Sequence, residues 1–294
     1  ETYKIGVNQL VRHGALDASY EGFVDALKDA GYIDGENITI DYQIAHNDQS
    51  ILNTIATKLI NDGNDLILAI ATPSAQAVAN ATKDIPILVT AVTDPEESGL
   101  VKSNEAPGGN VSGTSDLTPV HKQIELLTQL VPDAKSIAIL YSSSESNSKI
   151  QVDMAKVAAE ELGLEVVEAT VSNTNEIEQV VQSLVGKVDA IYTPTDNTIA
   201  SGMPTVAMVA NSNSIPIICG EESMVDAGGL ATYGIDYYKL GRLTGEQAVR
   251  IIEGKATTDT MSIEYLADDE YSIKINQEVA EQLGINIPEE LVGE

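Results

Sequence analysis

"IATPSAQAVAN" (Ile70–Asn80) and "YTPTDNTIAS" (Tyr192–Ser201) each set Thr-Pro-Ser/Thr directly after an apolar run. An apolar run followed by such a turn reads as a strand handing over to a helix, with Thr at the N-cap and Pro at the first helical position. A second landmark repeats in the same order. "VANATKDIPILV" (Val78–Val89) matches "VANSNSIPIICG" (Val209–Gly220), each running from a helix end through a short loop to Ile-Pro-Ile at the start of a strand. The chain therefore reads as two similar α/β lobes, one before about Asp116 and one after.

Around these landmarks, strand-like runs alternate with amphipathic stretches. "KIGVNQL", "NITIDYQI", "DLILAI" and "IPILVTAV" are expected strands of the first lobe, separated by helices over Asp17–Ala30, Ser50–Ile60 and Ser74–Ala81. In the second lobe "SIAILY", "LEVVEATV", "DAIYT" and "SIPIICG" are strands, with helices over Thr118–Leu130, Ser148–Leu162 and Ile177–Leu184. This β-α-β-α order predicts parallel sheets flanked by helices. A long helix over Tyr238–Ile252 follows the second lobe, and "MSIEYLADDEYSIKINQEVAEQLGI" predicts two further strands and a short helix. A helix that arrives after both lobes are complete must pack on one of them, so the chain crosses between lobes more than once.

The chain has 294 residues, 43% of them hydrophobic, which is ample for packed cores. Its 45 acidic and 16 basic residues give a formal charge of -29. That charge argues against nucleic acid and against an anionic membrane surface as partners. Cys219 is the single cysteine, so no disulfide forms within the chain, and its "PIICG" setting reads as core. No apolar run has the length of a membrane span. The start at Glu1 shows no signal segment, which fits a cytosolic protein or one whose signal peptide has been removed.

In an open parallel sheet, ligands bind beyond the carboxyl ends of the strands. Thr72-Pro73-Ser74 and Thr193-Pro194-Thr195 sit at such ends. Free first-turn N–H groups, with the hydroxyls of Ser74 and Thr195, suit a carboxylate there. A lone Thr-Pro turn is an ordinary helix start, and Thr118-Pro119 is read that way. Asp196 carries two readings: its spacing from Thr193 is that of a capping box, and its carboxylate also suits a ligand ammonium. Asp94 reads first as turn chemistry and second as part of a ligand site; Asp236 reads as an N-cap. Gln9 and His13 lie in the loop after the first strand, where ligands are expected. "YSSSESNS" is a polar loop whose Ser143, Ser144 and Asn147 carry donors. His46 and His121 read as surface residues, and the three histidines lack metal-ligand spacing. There is no phosphate-cradling glycine loop, dinucleotide fingerprint or nucleophile elbow. The expectation is a non-enzymatic protein without cofactor or metal.

Taken together, "IGVNQLVRHGALDASYEGFVDALKDAGY", "ATPSAQA", "VTDPEESGLV", "GGNVSGTSD", "YTPTDNTI" and "YGIDYYKLGRLTGEQAVRIIEGK" resemble the solute-binding proteins of bacterial ABC importers, most closely the tryptophan/tyrosine type. The resemblance covers nearly the whole chain in order. It implies a type I periplasmic-binding-protein fold of two Rossmann-like lobes that close over a small ligand by a hinge. One lobe would hold residues 1–116 and about 237–258, the other 117–236 and about 259–294. The resemblance also implies export to the periplasm or the cell surface, commonly with a lipid anchor, a permease partner, a monomeric state and an amino-acid ligand. By position it puts Gln9, His13, Leu16, Thr72, Ser74, Thr93, Asp94, Ser144, Thr195, Asp196 and Glu221 at the ligand. The ligand carboxylate would meet Ser74, and its ammonium Asp196, with Glu221 or Asp94 as second acid. Apolar contacts would come from residues such as Leu16 and Val92. With no Trp and Phe23 as the one phenylalanine, a branched aliphatic ligand stays open beside an aromatic one. A sensory domain of the same fold and a cytosolic α/β enzyme are the other readings.

Overall fold

Apolar runs too short for helices and bounded by turn residues become strands, and the stretches with a 3.6-residue apolar period become the helices that cover them. The computed structural model describes residues 2–292. The first part of the chain forms β1 (Tyr3–Gln9), α1 (Gly14–Asp29), β2 (Ile38–Ile44), α2 (Gln49–Asn61), β3 (Leu66–Ile70), α3 (Thr72–Ala81), β4 (Ile87–Val92) and β5 (Val111–Ser115). Next come α4 (Val120–Leu130), β6 (Ser136–Ser142), α5 (Ser146–Glu161), β7 (Glu165–Val171), α6 (Ile177–Leu184) and β8 (Ala190–Thr193). Then follow α7 (Asn197–Ser201), α8 (Met203–Ser212), β9 (Ile217–Cys219), α9 (Glu222–Asp226) and β10 (Ala231–Gly234). The chain ends with α10 (Tyr237–Ile252), β11 (Ser272–Ile275) and α11 (Gln277–Leu283).

Two compact units result. The first runs to Leu117 and takes in Asp236–Asp268; the second is Thr118–Ile235 with the chain from Asp269 onward. The first sheet has the order β2-β1-β3-β4-β5 and is parallel throughout. The second has the order β11-β10-β9-β8-β6-β7, parallel except for the antiparallel pair β10–β11. β3 and β4 are buried along their whole length, as continuous apolar strands covered on both faces should be. Cys219 is fully buried in the core of the second unit.

The structure departs from the sequence expectations in several places. β5 was not anticipated, because "VSGTS" has no apolar period. It is nevertheless buried along its length, and a Cβ on Gly113 would lie 2.1 Å from the Val89 carbonyl oxygen, so only a bare backbone fits beside β4. The N-caps of α3 and α4 are Ala71 and Pro119, one residue off the expected Thr72 and Thr118. In the tail, "MSIEYL" contributes a single bridge, Glu264 to Thr114, instead of a strand. Finally, the chain returns to the second unit at Asp269 and not near 259. Residues 259–264 are held along β5 by Gly108 N–H to Asp259 O (2.9 Å), Ser112 hydroxyl to Met261 O (2.6 Å) and Ser115 N–H to Glu264 O (3.0 Å).

α10 completes the first unit by seating on α1. A Cβ on Gly22 would fall 2.0 Å from Tyr238 O, and one on Gly241 1.9 Å from Ser19 O. The helices meet backbone to backbone. Tyr238 to Asp25 (2.7 Å) and Arg242 to Asp29 (2.8 Å) tie their outer rims.

Candidate functional site

Because β1, β3 and β4 are parallel, their carboxyl ends share one edge of the first sheet. The residues at or just after those ends include Gln9 and His13, Thr72 and Ser74, and Thr93 and Asp94. At the end of β3 the chain turns at once into α3 through Ala71, whose φ of 86° is costly for a residue with a Cβ. Ala91 at the end of β4 is also left-handed, with φ 54°, where the β4–β5 register shifts. Strain thus collects where β3 and β4 end, at the start of α3.

At that start the first-turn N–H groups have no intrahelical acceptor, and Pro73 has no N–H to offer. Thr72 and Ser74 flank it. Their hydroxyls are buried, at 1% and 0% exposure, and neither has a hydrogen-bond partner among the described residues. A buried hydroxyl without a partner is costly and calls for an acceptor from outside. Two orphaned hydroxyls on a helix N-terminus make a receptor for an anionic oxygen.

Gln9 is buried at the end of β1. Its carboxamide is spent inside the first unit: Nε2 donates to Val11 O (2.9 Å) and Asp17 Oδ1 (2.8 Å), while Oε1 accepts from the Tyr42 hydroxyl (2.7 Å). Burial, then the charge of Asp17, pushes the Tyr42 phenol up to about 12, so it stays a donor. Tyr20 stacks on Tyr42 at 3.8 Å. Gln9 therefore fastens the loop that carries His13, the half-buried N-cap residue of α1. Leu16 and Val92 are core residues of the first unit, at 2% and 0% exposure. Thr93 is buried, and its carbonyl accepts from the Ser115 hydroxyl (2.7 Å). Asp94 Oδ1 takes the N–H groups of Glu96 and Glu97 and the Asn104 amide, which is the turn chemistry its sequence suggested.

The look-alike turn in the second unit is built otherwise. Thr195 donates from both N–H (2.8 Å) and hydroxyl (2.5 Å) to Gln151 Oε1, and its carbonyl accepts from Gln151 (3.1 Å) and Asn147 (3.3 Å). The helix begins two residues later, with Asp196 as N-cap. Asp196 is 1% exposed and accepts from Ile199 N–H (2.9 Å), Ser142 N–H (2.7 Å) and the Ser148 hydroxyl (2.5 Å). Asp196 is thus the N-cap itself and not the third residue of a capping box begun at Thr193.

Glu145 went unnoticed in the sequence, being one acid among many in a serine-rich turn. It is buried, and its carboxyl accepts from the Asn197 N–H (3.0 Å), the Asn197 amide (2.6 Å) and the Thr198 N–H (3.1 Å). Burial, then the neighbouring Asp196 carboxylate, holds its carboxyl well above the ordinary range. Ser144 is exposed and shares a hydrogen bond with the Ser142 hydroxyl (2.8 Å). Ser143 reaches Val171 O (3.4 Å). "YSSSESNS" thus runs from the end of β6 through a short hydrogen-bonded turn into the first residues of α5.

Glu221 follows β9 as the N-cap of α9. It is 2% exposed, and among the described residues its carboxylate accepts from the N–H (2.9 Å) and hydroxyl (2.7 Å) of a single residue, Ser223. His46 and His121 are exposed. Among the described residues no group of three or more His, Cys, Asp or Glu is placed to hold a metal, and no helix is long and apolar enough to cross a membrane.

This architecture has close relatives. Residues 4–294 match the family model for ABC transporter substrate binding proteins. The chain is 53% identical over 279 residues to a tyrosine-binding protein of Clostridioides difficile (strain R20291), covering 95% of this chain and 80% of that one. It superposes with TM-score 0.95 on a Streptococcus pneumoniae domain solved in complex with L-Trp, at 44% identity over 99% of this chain and 98% of the other. A ligand-free, open substrate binding protein with adhesive properties from Clostridium difficile matches at TM-score 0.74 and 50% identity, covering 98% and 97%. A parallel two-unit α/β chain with these relatives along its whole length belongs to the ABC transporter substrate-binding proteins, a family that binds solutes and does not transform them.

Proposed function

We propose that this protein is the extracytoplasmic receptor of an ABC importer for an aromatic α-amino acid, tyrosine or tryptophan, which it hands to a permease. The observation that carries the reading is the pair of buried, unpartnered hydroxyls of Thr72 and Ser74 at the start of α3. They and the helix N-terminus receive the ligand carboxylate. The two similar proteins named for tyrosine and solved with L-Trp support the aromatic side chain. For the ammonium, Glu221 is the better acid. Asp196 and Asp94 each take three donors from the protein, whereas Glu221 is buried with Ser223 as its one donor residue. Thr93 and His13 complete the proposed site, and Gln9 acts on it through the loop it fastens.

Thermal unfolding with each of the twenty amino acids tests the reading. A ligand at roughly 1,000 times its dissociation constant adds about 4 kcal/mol. Tyrosine or tryptophan should raise the melting temperature by several degrees and the aliphatic amino acids should not. Ser74→Ala and Thr72→Val should each weaken binding about tenfold, the worth of one hydrogen bond to a charged group. The unliganded melting temperature should stay unchanged or rise, because each variant removes an unsatisfied buried hydroxyl. A melting temperature unmoved by every amino acid, or full affinity in both variants, rejects the proposal.

A further inference from the structure

Gln123 stands out in the second unit. It lies on α4, on the face that packs into the apolar core with Val120, Ile124 and Leu127, and it is fully buried. A carboxamide there is costly unless every polar atom is paired, and leucine would fill the position without that demand. Each of its groups is in use. Nε2 donates to Gly220 O (3.1 Å) and to Tyr233 O (2.8 Å), and Oε1 accepts from the Tyr192 hydroxyl (2.5 Å). Tyr192 is itself fully buried, and burial pushes its phenol far up, so it remains a donor. One side chain thus joins β8, the residue after β9 and β10.

Gly220 is the residue before Glu221, and it is clamped from three directions. Its N–H donates to Thr193 O (2.6 Å), and its carbonyl is held by Gln123. A Cβ there would lie 2.4 Å from the Thr195 nitrogen and 2.6 Å from the Pro194 carbonyl carbon. The peptide that presents Glu221 is therefore wedged between the Pro194–Thr195 turn and Gln123.

We infer that Gln123 is a positioning residue for Glu221, and that the protein's preference for a ligand bearing an α-ammonium depends on it. The inference rests on the reading of Glu221 as the acid that meets the ammonium. A short charge-assisted contact is sensitive to small displacements, because its strength depends on distance and angle. Loss of the Gln123 bonds frees the Gly220 carbonyl and lets the Glu221 peptide shift.

The readout is the ratio of two dissociation constants on the whole chain, measured by calorimetry. It is the constant for phloretate, which is tyrosine without its amino group, divided by the constant for L-tyrosine. If the wild type binds tryptophan instead, indole propionate is the matching partner. Glu221→Gln sets the scale by lowering the preference for the ammonium. Gln123→Met keeps the volume and removes the amide. It should lower the same ratio about tenfold, with phloretate affinity held within about twofold. Tyr192→Phe frees only the amide oxygen and should give a smaller fall in the same direction. A merely structural role would weaken both ligands together or neither. If Glu221→Gln lowers the ratio and neither Gln123→Met nor Tyr192→Phe does, the positioning role is overturned. If Glu221→Gln leaves the ratio unchanged, the reading of Glu221 fails and takes this inference with it. Should Gln123→Met not fold, Tyr192→Phe decides alone, a fall supporting the inference and an unchanged ratio rejecting it.

Discussion

Glu145 and Asp196 are the N-cap residues of α5 and α7, and each turns its carboxyl toward the start of the other's helix. Glu145 accepts from Asn197 and Thr198 at the start of α7, and Asp196 accepts from Ser148 in the first turn of α5. Burial, then the charge of the neighbouring Asp196, raises the Glu145 carboxyl well above its ordinary value. The stability tied to a carboxyl raised in the folded state is complete below its unfolded value of about 4.3. It is lost as pH rises through the folded value. Glu145→Gln places an amide where the protonated acid stands, donating to Asp196 at every pH. Melting temperatures of the two proteins should therefore converge in acid and diverge above it, the variant becoming the more stable toward about pH 8. Equal melting curves at both ends of that range would show that the pair carries no shared proton. At this scale the sequence was partly legible. Thr72 and Ser74 could be picked out because strand, Pro and hydroxyl are contiguous in the chain. Glu145 could not, because its partners lie far along the chain and any of the acids might have met them.

Among the elements, α1 and α10 show why a helix seen in sequence does not reveal its neighbour. The 3.6-residue pattern and the Asp236 cap, which accepts from Tyr238 and Lys239, place α10 well. Its tight seat on α1 depends on Gly22, Gly241 and Gly245, which in the sequence are three ordinary glycines of 22. Gly241→Ala would drive a methyl into the Ser19 carbonyl, and overpacking of this kind costs about 2–3 kcal/mol. Urea unfolding should show that loss, whereas Gly254→Ala, where a Cβ meets open space, should cost only its left-handed φ of 68°. Comparable losses for the two variants would contradict the backbone-to-backbone contact. β5 teaches the same lesson in reverse. It is a buried strand without an apolar signal, because the close approach of β4 leaves room for Ser, Gly and Thr and little else.

For the whole molecule, a charge of -29 on 294 residues means that folding gathers like charge into a small volume. Self-repulsion of this kind is screened by salt, with a Debye length of about 10 Å at 0.1 M and about 3 Å at 1 M. The melting temperature without ligand should rise as sodium chloride goes from low concentration toward about 1 M; a fall would mean that surface ion pairs such as Lys58–Asp41 and Lys149–Asp153 outweigh the net charge. The sequence by itself determined the α/β class, the alternation of strand and helix that makes the sheets largely parallel, the duplicated plan and the family, because periodicity, caps and turn residues are local and each is written in a short contiguous stretch. Tertiary structure alone decided that the two Thr-Pro turns differ, one left with orphaned hydroxyls and the other closed by Gln151. It also decided that Asp196 caps α7, that the carboxamides of Gln9 and Gln123 are taken up by partners within their own units, and that the chain returns to the second unit at Asp269. Those outcomes depend on which groups meet across long stretches of chain, and a hydrogen bond is satisfied by whatever donor the fold brings within about 3 Å, which no local pattern specifies.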